Sequence, residues 1–307
     1  MKAQRRDVVE FHRPFGYFEL RRAAARLRRA YPNLAVFSIG SSVLGKPLYA
    51  FRLGTGTKRV FVNGAFHANE WITAPLVLRF VEEAARAAQR GESFRGRDAA
   101  ELFRRVTLDA VPMVNPDGVE LVVRGLGADH PLRRELLAWN GGSDDFSGWK
   151  ANARGVDLND QFPAHWDVER DRRAVDGPGP RDYTGEAPLT EPEAQAIARF
   201  TEAERFDLVV AMHTQGREIY WNYRDREPLE AERIARALGR ASGYAPVKLT
   251  GSDAGYKDWF IDRFGRPGFT VEAGFGANPL PLAQLPGMYE ETSALLMEAL
   301  LASLRRN

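Results

Sequence analysis

Four short apolar runs, rich in β-branched residues, divide the chain. They are RVFVNG (59–64), RVTLDAVPMV (105–114), FDLVVAM (206–212) and GFTVEAG (268–274). Continuous runs of this kind predict strands that are buried on both faces. Amphipathic patterns that predict helices cover residues 17–30, 72–89 and 283–305. Strands that alternate with helices indicate an α/β fold with a mostly parallel sheet.

Local signals predict three further features. TEPE at 190–193 has the form of a capping box, with Thr190 as N-cap and Glu193 three residues later. NPDG at 115–118 is a typical type I turn. Residues 125–188 are rich in Gly, Pro, Asp and Trp and predict long ordered loops, which are often functional in compact domains.

Length, charge and composition narrow the class of protein. The 307 residues are enough for one large domain or two small ones. The net charge of +2 comes from 43 basic and 41 acidic residues that are interspersed, which argues against a nucleic-acid-binding protein. The chain has no cysteine, which excludes disulfides, thiol nucleophiles and Cys-ligated zinc. No signal peptide or membrane-spanning run is visible, so we expect a cytoplasmic protein.

Polar residues follow each predicted strand. His67 and Glu70 come after the first strand, Asn115 after the second and His213 after the third, and Glu272 lies at the end of the fourth. Ligands of open α/β sheets bind beyond the carboxyl ends of the strands. We therefore expect these side chains to converge at one edge of the sheet.

The residue types at this edge predict a metal centre. His67 and Glu70 are three residues apart and can point the same way, and His213 is a candidate third ligand. Two histidines and one glutamate on zinc leave a coordination position open, which is the catalytic arrangement. Glu272 could act there as the proton acceptor. The alternatives are a chance HxxE spacing, a hydrogen-bonded core histidine at 213 and a structural, ion-paired carboxylate at 272.

Five motifs in order, HANEW (67–71), NPDG (115–118), GVDLN (155–159), HTQG (213–216) and TVEAG (270–274), resemble the zinc carboxypeptidase family from about residue 15 to the C-terminus. The resemblance implies a single α/β catalytic domain over residues 1–307, with a central mixed, roughly eight-stranded sheet flanked by helices. It also implies one zinc ion on His67, Glu70 and His213, with Glu272 as general base and acid. Asp157 matches the family's carboxylate that orients the first zinc histidine.

The chain departs from carboxypeptidases at two positions near the expected site. Carboxypeptidases carry an Asn-Arg pair that grips the substrate's terminal carboxylate, whereas this chain has Asn159 and Asp160. An aspartate there would repel a carboxylate and attract an ammonium group. The alternative is that Asp160 faces solvent and Arg154 holds the carboxylate. Lys150 stands where the family has an arginine that polarises the scissile carbonyl, and we expect it to stabilise the oxyanion unless it is a surface lysine.

A third departure lies in GSDAGYKDW (251–259), which resembles the wall of the pocket for the residue after the cut. Lys257 falls near the position that sets side-chain specificity and suggests an acidic group in the substrate, with a solvated lysine as the alternative. Its neighbour Tyr256 is a candidate substrate contact and a weak candidate for the family's mobile tyrosine.

The motifs HANEWIT, WKAN, GVDLNDQFPA and HTQGREIYW narrow the resemblance to the γ-D-glutamyl-L-diamino acid peptidases. This branch implies hydrolysis of the γ-D-glutamyl–meso-diaminopimelate bond in peptidoglycan stem peptides. Asp160 and Lys257 would each meet an opposite charge at the far end of diaminopimelate. A carboxypeptidase acting on peptide C-termini, an N-acyl amino acid amidase and a non-catalytic peptidoglycan-binding protein remain as alternatives. The sequence makes no prediction of the oligomeric state.

Overall fold

The strands and helices that the sequence predicts are present in the computed structural model, which describes residues 7–306. Residues 1–6 and 307, which the predicted domain includes, lie outside the described residues. The strands are β1 (Leu34–Ser41), β2 (Pro47–Leu53), β3 (Lys58–Gly64), β4 (Ser93–Phe94), β5 (Arg97–Asp98), β6 (Val106–Val111), β7 (Leu208–His213), β8 (Glu218–Tyr220), β9 (Ala245–Val247) and β10 (Gly268–Glu272).

Helices connect these strands. They are α1 (Tyr17–Ala30), α2 (Thr73–Arg90), α3 (Ala99–Arg105), α4 (Pro116–Arg124), α5 (Arg133–Trp139), α6 (Trp166–Arg173), α7 (Pro192–Glu204), α8 (Ala231–Ser242), α9 (Tyr256–Phe264) and α10 (Leu285–Leu304). Single turns of 3₁₀ helix cover Ala68–Glu70, Leu158–Asp160 and Leu282–Gln284. Among residues 7–306, no helix is both long enough and apolar enough to cross a membrane.

Eight strands form one mixed sheet in the order β1-β2-β6-β3-β7-β10-β8-β9, and β4 and β5 form a separate small hairpin. The four central strands β6, β3, β7 and β10 run parallel, while β2 and β8 flank them antiparallel. Every residue of β6 and β7 is buried, as their continuous apolar runs predict. These features confirm the predicted α/β fold with an eight-stranded mixed sheet.

Apolar clusters lie on both faces of the sheet. One cluster joins the sheet to α1, α2, α8 and α10, and includes Leu27, Phe80 and Leu296. The other joins it to α7 and α9, and includes Phe61 and Phe260. The loops at the carboxyl ends of the central strands are therefore held by a core on either side.

Three local predictions need correction. The helix after residue 190 begins at Pro192 with Glu191 as N-cap, and Thr190 instead contacts the side chain of Gln161 (Oγ1 to Oε1, 3.1 Å). Residues 115–118 begin a helix rather than a simple turn: Asn115 caps α4 by accepting the Gly118 N–H (3.0 Å). Residues 125–188 are mostly irregular, as predicted, but they also contain α5 and α6.

Candidate active site

The ends of β3 and β7 bring two histidines and a glutamate together. The two strands are parallel neighbours, with Gly64 opposite Met212. His67 and Glu70 lie in the turn after β3, and His213 is the last residue of β7. Nδ1 of His67 lies 2.8 Å from Oε1 of Glu70, and Nδ1 of His213 lies 3.0 Å from Oε2 of the same carboxylate. The two Nδ1 atoms are 3.3 Å apart.

Hydrogen bonds hold the turn that carries His67 and Glu70. The Thr73 hydroxyl accepts the backbone N–H of Ala65 (2.8 Å) and donates to the carbonyl of Glu70 (2.9 Å). The Ala68 N–H donates to the carbonyl of Lys150 (2.9 Å). The backbone on both sides of the turn is thus fixed independently of the three converging side chains.

This donor set fits a single zinc ion. All three residues are buried, and each offers an atom within 4.8 Å of the others. Burial lowers the pKa of His67, but the charges of Glu70 and Asp157 outweigh it and raise that pKa to about 9, so the site favours positive charge. Burial lowers the pKa of His213, which keeps that imidazole neutral and able to donate a lone pair. Two imidazoles and one carboxylate are a typical catalytic zinc set.

Asp157 connects the first histidine to Lys150. Its Oδ1 lies 3.1 Å from Nε2 of His67, and its Oδ2 lies 3.4 Å from Nζ of Lys150. Burial raises the pKa of Asp157, but the positive charges of Lys150 and His67 hold it well below its usual value. A carboxylate in this position fixes the tautomer and the orientation of a metal-binding histidine.

Glu272 and Lys150 both lie near this centre, Glu272 beside His213 and Lys150 beside Asp157. Glu272 ends β10, where it pairs in register with His213, and it is half-buried. Burial and the charge of Glu70 raise the pKa of Glu272 to about 8, against the influence of His67 and Lys150. The Lys150 side chain is 18% exposed, so the alternative of a surface lysine is wrong. The catalytic roles of both residues remain predictions.

The structure corrects the prediction for Asp160. Its side chain is buried and forms two hydrogen bonds with Arg173, from Nε to Oδ2 (2.8 Å) and from Nη2 to Oδ1 (3.1 Å). Asp160 therefore neither faces solvent nor offers a free carboxylate, and the prediction that it binds a substrate ammonium is wrong. Burial, together with the charge of Asp157, raises the pKa of Asp160 to about 7.

The prediction that Tyr256 contacts the substrate is also wrong, because its side chain is fully buried. Its hydroxyl lies 3.0 Å from that of Thr201, and its ring packs against Phe61, Phe66 and Phe162. This aromatic contact set explains why Tyr256 belongs to the core rather than to the pocket.

The other two residues predicted to bind substrate lie closer to accessible space. Asn159 is half-buried, and its Oδ1 accepts the N–H of Tyr256 (3.3 Å). Lys257 is 5% exposed, so the solvated alternative is wrong, and its Nζ donates to the carbonyl of Asn222 (2.7 Å) and to Asp258. It lines a cavity of about 360 Å³. Substrate binding by Asn159 and Lys257 stays a prediction.

Two charged residues near the site are not anticipated by the sequence interpretation. Arg173 lies on α6, within the segment predicted as loops, and pairs with Asp160 and Glu169 (Nε to Oε1, 2.8 Å). Glu218 lies on β8, opposite Glu272. The alternation of polar and apolar residues in EIY (218–220) is typical of a half-buried strand. This pattern could have predicted the position of Glu218.

Comparison with known proteins places this geometry in a family context. Residues 20–294 match the zinc carboxypeptidase family. The γ-D-glutamyl-L-diamino acid endopeptidase 1 of Lysinibacillus sphaericus is 46% identical over 293 residues, which are 95% of this chain and 74% of that protein.

Solved structures show the same fold. Bovine thrombin-activatable fibrinolysis inhibitor superimposes with a TM-score of 0.75 at 19% identity, over 96% of this chain and 99% of that one. The murein-tripeptide amidase MpaA of Escherichia coli O157 superimposes with a TM-score of 0.54 at 22% identity, over 86% of this chain and 92% of that one.

Proposed function

This chain belongs to the zinc carboxypeptidase family of metallopeptidases, and we propose that it hydrolyses the γ-D-glutamyl–meso-diaminopimelate bond of peptidoglycan stem peptides. The observation that carries the proposal is the 46% identity, over 95% of the chain, to a γ-D-glutamyl-L-diamino acid endopeptidase. The converging donors His67, Glu70 and His213 supply the metal chemistry that this reaction needs.

In the proposed mechanism, the metal ligands, Glu272 and Lys150 each have a separate role. His67, Glu70 and His213 would hold a zinc ion, which would supply Lewis acidity at the site when bound. The carboxylate of Glu272 accepts the proton of the attacking water and then delivers it to the departing amine. Lys150 places its ammonium group beside the centre and stabilises the negative charge that develops on the carbonyl oxygen.

The burial of Glu272 and Lys150 supports these roles. Glu272 is half-buried beside His213, and Lys150 is held against Asp157. Partial exclusion of water strengthens the electrostatic interaction of such groups with a developing charge. Because Asp157 contacts both Lys150 and His67, the ammonium group keeps a fixed position relative to the metal donors.

The observed surroundings of residue 160 also bear on the choice of substrate. A carboxypeptidase needs a free cation for the substrate's terminal carboxylate, and here the nearby Arg173 is occupied by Asp160, Glu169 and Asp182. Arg154, the alternative cation, is exposed and lies 3.6 Å from Glu191. The pairing of Arg173 thus removes the arginine that could grip a terminal carboxylate beside residue 160, and the choice of the murein peptide rests on the identity to the endopeptidase.

The test is mass spectrometry of L-Ala-γ-D-Glu-meso-diaminopimelate after incubation with the zinc-loaded enzyme. We expect L-Ala-D-Glu and free diaminopimelate, and we expect a chelator or Glu272→Gln to abolish their release. Parallel incubations with N-blocked dipeptides and N-acyl amino acids test the carboxypeptidase and amidase alternatives. An intact tripeptide beside hydrolysed N-blocked dipeptides would reject the proposal.

Tight binding of the tripeptide without any hydrolysis would instead indicate the non-catalytic peptidoglycan-binding alternative. The cytoplasmic location stays a prediction, which fractionation of producing cells with the same hydrolysis assay would test.

A further inference from the structure

A second glutamate lies directly across the sheet from Glu272. Strands β8 and β10 are antiparallel, and their register pairs Glu272 with Glu218 and Thr270 with Tyr220. Directly opposed residues of an antiparallel pair place their side chains on the same face of the sheet. Glu218 and Tyr220 therefore line the face that carries Glu272, and both are half-buried. The charge of Glu218 is close enough to contribute to the raised pKa of Glu272.

One oxygen of the Glu218 carboxylate is held and the other is available. The Tyr220 hydroxyl donates to Oε2 of Glu218 (2.7 Å), which fixes the carboxylate on its strand. Within residues 7–306, no side chain forms a salt bridge with Glu218, and no donor reaches its Oε1. A half-buried carboxylate with a free oxygen beside the catalytic centre is suited to bind a positively charged group.

A cavity with paired charges lies further along the same face. Gly268 is two residues before Thr270 on β10, and the position of a Cβ on this glycine would be 3.4 Å from Cγ of Lys257. Lys257 lines the cavity of about 360 Å³ together with three further basic side chains, Arg172, Arg224 and Lys248. Asp225, Asp253 and Asp258 line it as well, and each of the four basic side chains forms a salt bridge with one of them. The face that begins with Glu218 at the catalytic end thus continues to a cavity whose basic side chains are paired with aspartates, whereas Glu218 itself has no salt bridge within residues 7–306.

We propose that Glu218 binds the ammonium group at the far end of the diamino acid residue of the substrate, and this inference rests on the proposed function. The far end of diaminopimelate carries an ammonium and a carboxylate on one carbon. An acidic side chain beside the reacting centre complements that ammonium group. Lysine offers the ammonium alone. Glu218 is therefore a specificity-determining residue, in the role that the sequence assigned to Asp160.

The experiment compares Glu218→Gln with the wild-type holoenzyme on two peptides. One is L-Ala-γ-D-Glu-meso-diaminopimelate, and the other carries 2-aminopimelate, which lacks only the distal amine. Glutamine keeps an acceptor for the Tyr220 hydroxyl but removes the charge. We expect kcat/KM on the diaminopimelate peptide to fall about 10- to 100-fold, mainly through KM. We expect kcat/KM on the 2-aminopimelate peptide to change less than about twofold.

The matched control is Glu83→Gln. Glu83 also accepts a tyrosine hydroxyl, that of Tyr289, at 2.7 Å, but it lies on α2 on the other side of the sheet. This control should leave kcat/KM unchanged on both peptides. An equal loss for Glu218→Gln on both peptides would assign Glu218 a structural or proton-transfer role and overturn the proposal.

A measurement of ligand binding tests this inference separately from the proposed function. If the wild-type enzyme hydrolyses neither peptide, the proposed function fails. Calorimetric titration with free meso-diaminopimelate and free 2-aminopimelate then decides the inference by itself. Tighter binding of diaminopimelate by the wild type, lost in Glu218→Gln, supports it, and equal binding of both ligands overturns it.

Discussion

Nε2 of His67 lies 3.1 Å from Oδ1 of Asp157, so a histidine that offers Nδ1 to a metal donates its Nε2–H to a buried carboxylate. This contact fixes the tautomer. We expect Asp157→Asn to weaken zinc binding about 10- to 100-fold. Competition with a chromogenic chelator measures the affinity. Asp182→Asn is the control, because Asp182 belongs to the same acidic cluster but pairs with Arg173. Equal affinities of Asp157→Asn and the wild type would contradict the assigned role.

Glu272→Gln tests proton transfer. The substitution keeps the size of the side chain but removes its capacity to accept a proton, so we expect kcat to fall about 10²- to 10⁴-fold. The zinc content, measured by mass spectrometry of the metal, should stay at one ion per chain. Glu291→Gln is a control. Glu291 is also half-buried, and its carboxylate accepts the hydroxyl of Tyr244 (2.9 Å). Retained kcat in Glu272→Gln would rule out Glu272 as the general base.

Lys150→Met removes the ammonium group beside the centre. We expect kcat to fall about 10²- to 10³-fold with a smaller change in KM, because the charge acts on the transition state. Lys150→Arg keeps the positive charge and should recover part of the rate. Lys58→Met is the control. Lys58 is also half-buried, but it lies at the start of β3, whereas the site lies beyond the end of this strand. A change in KM alone for Lys150→Met would indicate ground-state binding instead.

Asp160→Ala tests whether residue 160 is structural. The substitution removes the carboxylate to which Arg173 donates two hydrogen bonds. Because the half-buried guanidinium then loses this partner, we expect the free energy of unfolding to fall by about 1–3 kcal/mol. Urea unfolding measures this loss. The ratio of kcat/KM between diaminopimelate and lysine peptides should not change. A changed ratio with unchanged stability would restore Asp160 as a substrate-binding residue.

Glu193 makes stability depend on pH. It is fully buried, accepts the Val43 N–H (3.0 Å), and has a pKa that burial raises to about 8. The unfolded chain releases this proton near pH 4.5, whereas the folded chain holds it to about pH 8. Protonated Glu193 therefore stabilises the fold most below about pH 4.5, and the contribution decreases as the pH rises through this window.

Urea midpoints of Glu193→Gln at pH 5 and pH 8 check this expectation. The variant should lose less stability between the two pH values than the wild type. Glu202→Gln is the control, because Glu202 lies on the same helix α7 and is exposed. If the urea midpoint changed by the same amount between pH 5 and pH 8 in Glu193→Gln and in the wild type, Glu193 would not titrate in this range.

The sequence predicts the metal donors because they depend on local information. A strand, a turn and a ligand are adjacent in the chain at His67 and at His213, and the parallel sheet then brings the two segments together. The state of Asp160 depends on a distant partner instead. Arg173 comes from a short helix in a segment that the composition predicts as loops. The sequence pattern therefore does not predict that Arg173 pairs with Asp160.

The burial of Tyr256 is hidden from the sequence in the same way. GYKDW reads as polar and accessible, but its tyrosine points into the cluster that includes Phe66 and Phe162. Lys257, the next residue, remains at a cavity wall. Neighbouring residues of a helix point in different directions. A motif alignment therefore assigns the segment to the site without deciding which of its side chains reaches the substrate.

The parallel pairing of β3 with β7 also bears on how the metal enters and leaves. Backbone hydrogen bonds between these strands set the separation of the segments that carry His67 and His213, and Thr73 secures the intervening turn. The ordering entropy of the donors is thus lost when the chain folds, before any ion arrives. Such a centre is preorganised, so we expect an ion to bind and leave in the folded protein without unfolding and refolding of the chain.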